Sequence, residues 1–170
     1  MIVSGRLCKF DSQKELVKTM AEQLTSDEMK AFVRQHFEDF VNNKKAEVIR
    51  TNMTSDFRDH DGPGGKMVGI VEDEHMMRAM YDDGPGGKMV GIVEDEHMMR
   101  AMYEMMPDIH ITIDDMVAEG DRVVCRNIWR WTDSKSGKRM AFRGFVEWRF
   151  EGGQIAERWA TVTPAYESSE

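Results

Sequence analysis

The sequence predicts an α+β domain in which helices from the first half pack on a curved, mostly antiparallel sheet formed by the second half. Three observations carry this. Apolar residues before Pro107 recur at helical spacing, those after it recur at every second position, and glycine or polar clusters punctuate the second half. At 170 residues the chain can bury one sizeable core and is too short for two comfortable ones. The expected layout is an N-terminal arm or helix over 1–25 and a main domain over 26–165.

Leu16, Val17, Met20 and Leu24 give the arm a short amphipathic helix. A stronger helix follows. Thr25 and Glu28 have the spacing of a capping box, and Met29, Phe32, Val33, Phe37, Phe40 and Val41 form one apolar stripe behind it. Lys44 to Met53 reads as another short helix carrying Ala46, Val48 and Ile49, and Asp56 to His60 as a short extended piece.

The same 21 residues, DGPGGKMVGIVEDEHMMRAMY, then occur twice, as Asp61 to Tyr81 and Asp83 to Tyr103. Solenoids need about three or more stacked units, so two identical copies indicate a duplication (61–82 and 83–104) inside one domain. Removing one copy with its linking aspartate leaves about 148 residues, enough for a complete fold. Each copy supplies a Gly/Pro loop and a helix of about three turns. In copy two, Met89, Ile92, Met99 and Tyr103 fall near one face with Met102 beside them, and the acidic residues mostly lie elsewhere.

Beyond Pro107, Ile109, Ile111 and Ile113 alternate with polar residues as a half-buried strand. A Glu119-Gly120-Asp121 turn opens a second strand with Val123, Cys125, Asn127, Trp129 and Trp131 on one face. Ser134 to Lys138 makes a hairpin turn, and the third strand sets Phe142, Gly144, Val146, Trp148 and Phe150 against a polar face. A Gly152-Gly153 turn leads to a fourth, in which strict alternation groups Ile155, Glu157, Trp159 and Thr161.

The net charge is −8, with both signs mixed along the chain, so the basic footprint of a nucleic-acid binder is missing. No apolar run approaches the ~18 residues of a membrane span, and the first residues do not read as a signal peptide. No membrane or nucleic-acid partner and a cytoplasmic location are expected. Cys8 and Cys125 lack metal-ligand spacing, and no metal or cofactor is expected. Glu72-x-x-His75 and Glu94-x-x-His97 look like half of a di-iron bundle, but they arise from one copied segment and strands follow where helices would be needed.

In order, the segments Phe57-Arg-Asp-His60, Met106-Pro-Asp108, Val117-Ala-Glu-Gly-Asp-Arg-Val123, Phe142-Arg-Gly144, Arg149-Phe-Glu-Gly-Gly-Gln-Ile155 and Glu157-Arg-Trp159 resemble the SnoaL-like polyketide cyclase family. That family lies within the cone-shaped superfamily named after nuclear transport factor two. The resemblance covers roughly Ser26 to Val162. It implies a cone-shaped α+β barrel around an apolar pocket, a homodimer or higher homo-oligomer, and a small, largely apolar molecule as ligand. It also implies acid-base chemistry of cyclase or isomerase type, in which apolar walls raise a carboxylate's pKa.

The chain departs from the family pattern at three places. Three residues before Arg149, where the family carries an acid, stands Val146, and Glu147 points to the opposite face. The family's E-H-W-D is here Glu157-Arg158-Trp159-Ala160. A loop that reads G-T-H-T-G in the family is reduced to Thr132 to Lys138, without a histidine. His60 and Glu157 are therefore the candidate catalytic pair. The ordinary readings are a histidine tying the extended piece to a neighbouring backbone and a glutamate paired with an arginine. Trp129, Trp131, Val146, Trp148 and Trp159 are the candidate ligand-binding wall, with core packing as the plain alternative. A non-catalytic member acting in assembly or protein contact is the competing reading of the whole.

Overall fold

A computed structural model of the protein describes residues 23–60 and 92–169. The arm expected over 1–25, apart from its last three residues, and the first repeat copy lie outside the described residues. Helix α1 spans Ser26–Phe37 and begins on the expected capping box. The Glu28 N–H donates to Thr25 Oγ1 at 3.3 Å, and Glu28 Oε2 accepts from the Thr25 N–H at 2.8 Å. Met29, Val33, His36 and Phe37 form its buried face.

The helix continues as a π-helical turn, Glu38–Asn42, which buries Phe40 and Val41. Asn42 then clips the helix to the sheet: its Oδ1 accepts from the Ile111 N–H at 2.8 Å and its Nδ2 donates to the Ile111 carbonyl at 3.2 Å. These bonds occupy backbone groups of an edge strand that would otherwise stay unpaired. The helix expected over Lys44 to Met53 is a 3₁₀ turn, Ala46–Val48, followed by α2, Ile49–Asn52.

Strand β1, Met53–Asp59, is longer than the extended piece expected there. Helix α3, Ile92–Met105, comes from the second repeat copy. It buries Met99 and Met102, packs Met98 and Tyr103 against the core, and donates the Tyr103 hydroxyl to the Phe40 carbonyl. Asp95, expected away from its apolar face, is buried, and so is Glu96. Glu96 is held there by Arg50 at 2.5 Å and Arg100 at 2.9 Å. The chain leaves α3 firmly anchored: the Met106 N–H donates to the Met102 carbonyl at 2.8 Å, and Asp108 accepts from the Thr132 N–H at 3.0 Å and from its hydroxyl at 2.5 Å.

The remaining strands are β2 (His110–Glu119), β3 (Arg122–Thr132), β4 (Arg139–Glu151), β5 (Gln154–Val162) and a two-residue β6 (Tyr166–Glu167). They form one sheet in the order β1-β5-β4-β3-β2, with β6 on β4. β2 through β5 are antiparallel, whereas β1 runs parallel to β5. Val123, Cys125 and Asn127 of β3 and Phe142, Val146, Trp148 and Phe150 of β4 face the helices, as their alternation predicts. Glu147 takes the other face and pairs with Arg122.

Two bulges break the alternation. In β2 the register steps from Ile113↔Asn127 to Asp115↔Arg126, which leaves Asp114 as the extra residue and turns Met116 and Ala118 toward the core. In β5 it steps from Phe150↔Ile155 to Arg149↔Glu157, with Ala156 extra. The second bulge corrects the grouping of Ile155 with Glu157 and Trp159. Ile155 faces the core, but beyond the bulge the inward positions are Arg158, Ala160 and Val162. Among the described residues no helix is long and apolar enough to cross a membrane.

Candidate functional site

Helix α1, helix α3 and the inner sheet face enclose a cavity of about 60 Å³. Its apolar wall comes from Phe37 and Phe40 on one side, Met98, Met99 and Met102 of α3 on another, and Trp129, Phe142, Val146, Trp148 and Val162 of the sheet. Its polar lining is His36, Asp59, Asp95, Asn127 and Arg158. An apolar chamber with a few convergent polar groups is the usual form of a small-molecule site, although such sites commonly reach about 300–1,000 Å³.

The centre of the polar lining is an ion pair. Arg158 Nη1 donates to Asp59 Oδ2 at 2.5 Å, with Asp59 1% exposed. Asp59 lies inside because period two places it on the face of Phe57; Arg158 lies inside because of the bulge at Ala156. The strands hold the two in direct register. The Arg158 guanidinium also stands 5.7 Å from the centre of the Trp148 ring.

His36 shares this interior and stacks on Phe40 with ring centres 5.1 Å apart. Asn52 Nδ2 lies 3.1 Å from its Nδ1, so that nitrogen accepts and the proton sits on Nε2. Burial, reinforced by the positive charge of Arg158, lowers its pKa to about 4, and the imidazole is neutral at physiological pH. Asn127, fully buried, accepts from the Trp129 indole N–H at 3.0 Å and fixes that ring against the cavity. Gly144 leaves room for it, because a Cβ there would stand 2.7 Å from Asn127 Oδ1. Trp148 is 2% exposed, and its indole N–H has no hydrogen-bond partner among the described residues.

His60 and Glu157 do meet, but they are not among the described lining of the cavity. His60 Nε2 lies 2.6 Å from Glu157 Oε2, and Arg149 Nε donates to Glu157 Oε1 at 2.7 Å. Arg149 alternates with the inward Trp148 and Phe150, which places this cluster on the outer face of the sheet. The Trp159 ring stacks on His60 at 4.3 Å and 5°. Hydrogen bonds from His60 and Arg149 hold the Glu157 carboxyl below the usual glutamate range, opposite in direction to a base poised near neutrality. The His60 backbone N–H donates to the Arg158 carbonyl at 3.0 Å.

Of the five residues expected to form a binding wall, Trp129, Val146 and Trp148 line the cavity. Trp131 is buried against Phe142, 5.9 Å between ring centres, and is not among the lining residues; Trp159 is on the outer face with His60. None of the five polar lining residues, Asp95 included, stands out in the sequence as a site candidate. His36 carried a readable signal, since it falls between Val33 and Phe40 on the apolar stripe, and Asp59 shares the parity of Phe57. Asn127 was placed on the correct face without a role. Arg158 carried no signal, because a bulge sets its direction. Cys8 lies outside the described residues, and Cys125 is buried, which raises its thiol pKa to about 11. Among the described residues no three His, Cys, Asp or Glu side chains gather as metal ligands.

A model of the SnoaL-like domain matches residues 33–158. IdmH from Streptomyces antibioticus, a proposed polyketide cyclase, superposes with a TM-score of 0.63 at 21% identity, over 78% of this chain and 90% of that one. TsrD from Streptomyces laurentii gives 0.60 at 16% identity, over 82% and 91%. A SnoaL-like polyketide cyclase from Agrobacterium tumefaciens gives 0.55 at 14% identity, over 77% and 88%. These likenesses establish the cone-shaped fold. No curated protein matched the chain. With the domain match covering most of its length, the chain belongs to the SnoaL-like family.

Proposed function

We propose that this SnoaL-like domain binds a small, largely apolar molecule in the cavity between α1, α3 and the sheet. The carrying observation is the cavity's make-up, an aromatic and thioether wall around the Asp59–Arg158 pair. Its free volume is modest, but three wall residues are α3 methionines, whose unbranched side chains repack readily around a guest. Within this reading Asp59 is a carboxylate that reaches the cavity beside its Arg158 partner, and acid-base work of the kind the family resemblance implies would fall to it. His60 and Glu157 then act as positioning residues. They tie β1 to β5 from outside, one residue away from Asp59 and Arg158 on the same two strands. Saturation-transfer NMR with toluene tests the binding step. Transfer from the protein to toluene is expected, together with its loss in Met98→Trp; absence of transfer to the unmodified chain would overturn the proposal.

A second reading, assembly through the outer sheet face, rests on a separate observation. Val117 is 70% exposed and Phe145 54% exposed. Val117 pairs directly with the exposed Val124, and Phe145 stands opposite Arg126 one pleat further on. Such an apolar row suits a homodimer contact. Light scattering tests it: Phe145→Glu is expected to lower the mass of an assembly, and a monomeric parent chain would dismiss it.

A further inference from the structure

We propose that residues 12–22, the stretch just before the first described residue, dock on their own domain in a groove beside the start of α1, with Leu16, Val17 and Met20 toward its floor. The groove has a volume of about 240 Å³ and shares no lining residue with the cavity between α1, α3 and the sheet, so the proposal stands apart from the binding reading. Leu24 and Met29 line it on the helix side and Phe150 on the sheet side. Asp121, Arg149, Glu151 and the Gly152-Gly153 turn complete it. Met29 and Phe150 are buried beneath it, and the half-buried Leu24 packs against the same core.

Continuity, apolar pattern and charge select this occupant. Gln23 and Leu24 themselves line the groove, so the chain leaves the described domain inside it. A segment tethered there meets the groove at an effective concentration of about mM order, which a separate partner would have to match. Met20 lies four residues before Leu24 in sequence, within about 14 Å of it even on a fully extended chain. With Leu16 and Val17 it forms the apolar stripe that the sequence expects on a helix, and such a stripe needs a surface to cover it. The groove's rim carries two exposed acids, Asp121 and Glu151, around Arg149. On the expected helix Lys14 and Lys18 fall one turn apart on the Val17 side of the stripe, and Glu22 falls opposite it. The flank nearest the groove is therefore basic where the rim is acidic.

Trypsin reads the docking, because it cuts after Lys18 only while that stretch is away from the domain. In the full chain, initial cleavage between Lys18 and Thr19, followed by mass spectrometry, is expected to be about tenfold slower than in a synthetic peptide of residues 12–24, as for a segment bound about nine-tenths of the time. Met20→Asp sets a charge against the apolar floor and is expected to bring the rate up to that of the peptide. In ¹H–¹⁵N spectra the Gly152 and Gly153 amide signals are expected to shift between the parent chain and Met20→Asp. Cleavage of the parent at the peptide's rate overturns the proposal, as does a Met20→Asp rate as slow as the parent's. Gly152 and Gly153 signals that stay in place would put the segment elsewhere and overturn it too. Protection that disappears on dilution would mean that the segment comes from a second copy, which also overturns docking within one chain. The comparison of parent with peptide decides the matter should Met20→Asp not fold.

Discussion

Asp59 and Arg158 face each other across the parallel β1–β5 pair, 2.5 Å apart and inside the core, while His60 and Glu157 make a second, hydrogen-bonded pair at the same strands on the outside. The inner pair is the costly one to break. Removing one partner strands a charge away from water, and Asp59→Leu or Arg158→Met alone is expected to cost about 3–5 kcal/mol. The double variant Asp59→Leu/Arg158→Met exchanges the pair for apolar packing and should recover most of that loss. Urea denaturation of the three variants measures both effects. Single and double losses that simply add would show that the two residues do not act as a pair.

The outer pair predicts a smaller effect. Glu157 accepts from both His60 and Arg149, and its carboxyl is held below the unfolded value. Its contribution is therefore present above the ordinary glutamate range and lost as pH falls through the lowered folded value. Glu157→Gln is expected to destabilise by about 1 kcal/mol at pH 7. The difference from the parent chain should shrink below pH 4, which acid-series urea melts would read.

His36 titrates in a higher window. Its pKa is about 4 when folded against an ordinary histidine value of 6.5. Above pH 6.5 both states are largely neutral and His36 adds no pH dependence to stability. Between 6.5 and about 4 the unfolded chain takes up a proton that the folded chain refuses, and stability falls by up to about 1.4 kcal/mol per pH unit. His36→Phe keeps an aromatic ring against Phe40 and removes the titration. Subtracting its stability profile from the parent's between pH 7 and 5 should leave that slope; a flat difference contradicts the burial argument.

Gly144→Ala tests the link between the sheet and the cavity wall. A Cβ would stand 2.7 Å from Asn127 Oδ1, the atom that holds the Trp129 indole. The expected cost is about 1–3 kcal/mol. A change in the Trp129 environment should accompany it, seen as a shift of its indole N–H resonance.

Deleting Asp61 to Asp82 leaves every described contact in place, because α3 belongs to the second copy. It shortens the connection from Asp59 to Ile92 by 22 residues. The shortened chain is therefore expected to keep a single cooperative urea transition. We further propose that the duplicated segment promotes association, so the shortened chain should have a smaller mass by light scattering. An unchanged mass would remove the duplication as a cause of association.

Much of the fold was legible because its signals are local. Thr25 and Glu28 announce a helix start, Gly120 and the Gly152-Gly153 pair announce turns, and the alternation in β3 and β4 names the faces correctly. The polar site was less legible because two bulges decide which parity faces inward, and a bulge at Asp114 or Ala156 has no distinctive residue type. One unpaired residue in β5 moves Arg158 into the cavity wall and Glu157 onto the outer surface. The parallel pairing of β1 with β5 is likewise a long-range fact. Without it Asp59 is an acid beside a loop, and with it the partner of an inward-facing, half-buried arginine.

The anchoring of α3 bears on how a repeated text is read by a folding chain. Both copies spell the same helix, so side-chain affinity for the groove cannot rank them. What differs is the sentence that follows. After the second copy come Met106, buried and bonded back to Met102, and Asp108, which grips Thr132; after the first comes Asp82-Asp83-Gly84. The residues that follow the second copy thus supply contacts that its own letters do not. Exchanging Met106 and Asp108 for polar or apolar misfits would erase the distinction between the copies without altering a letter of either.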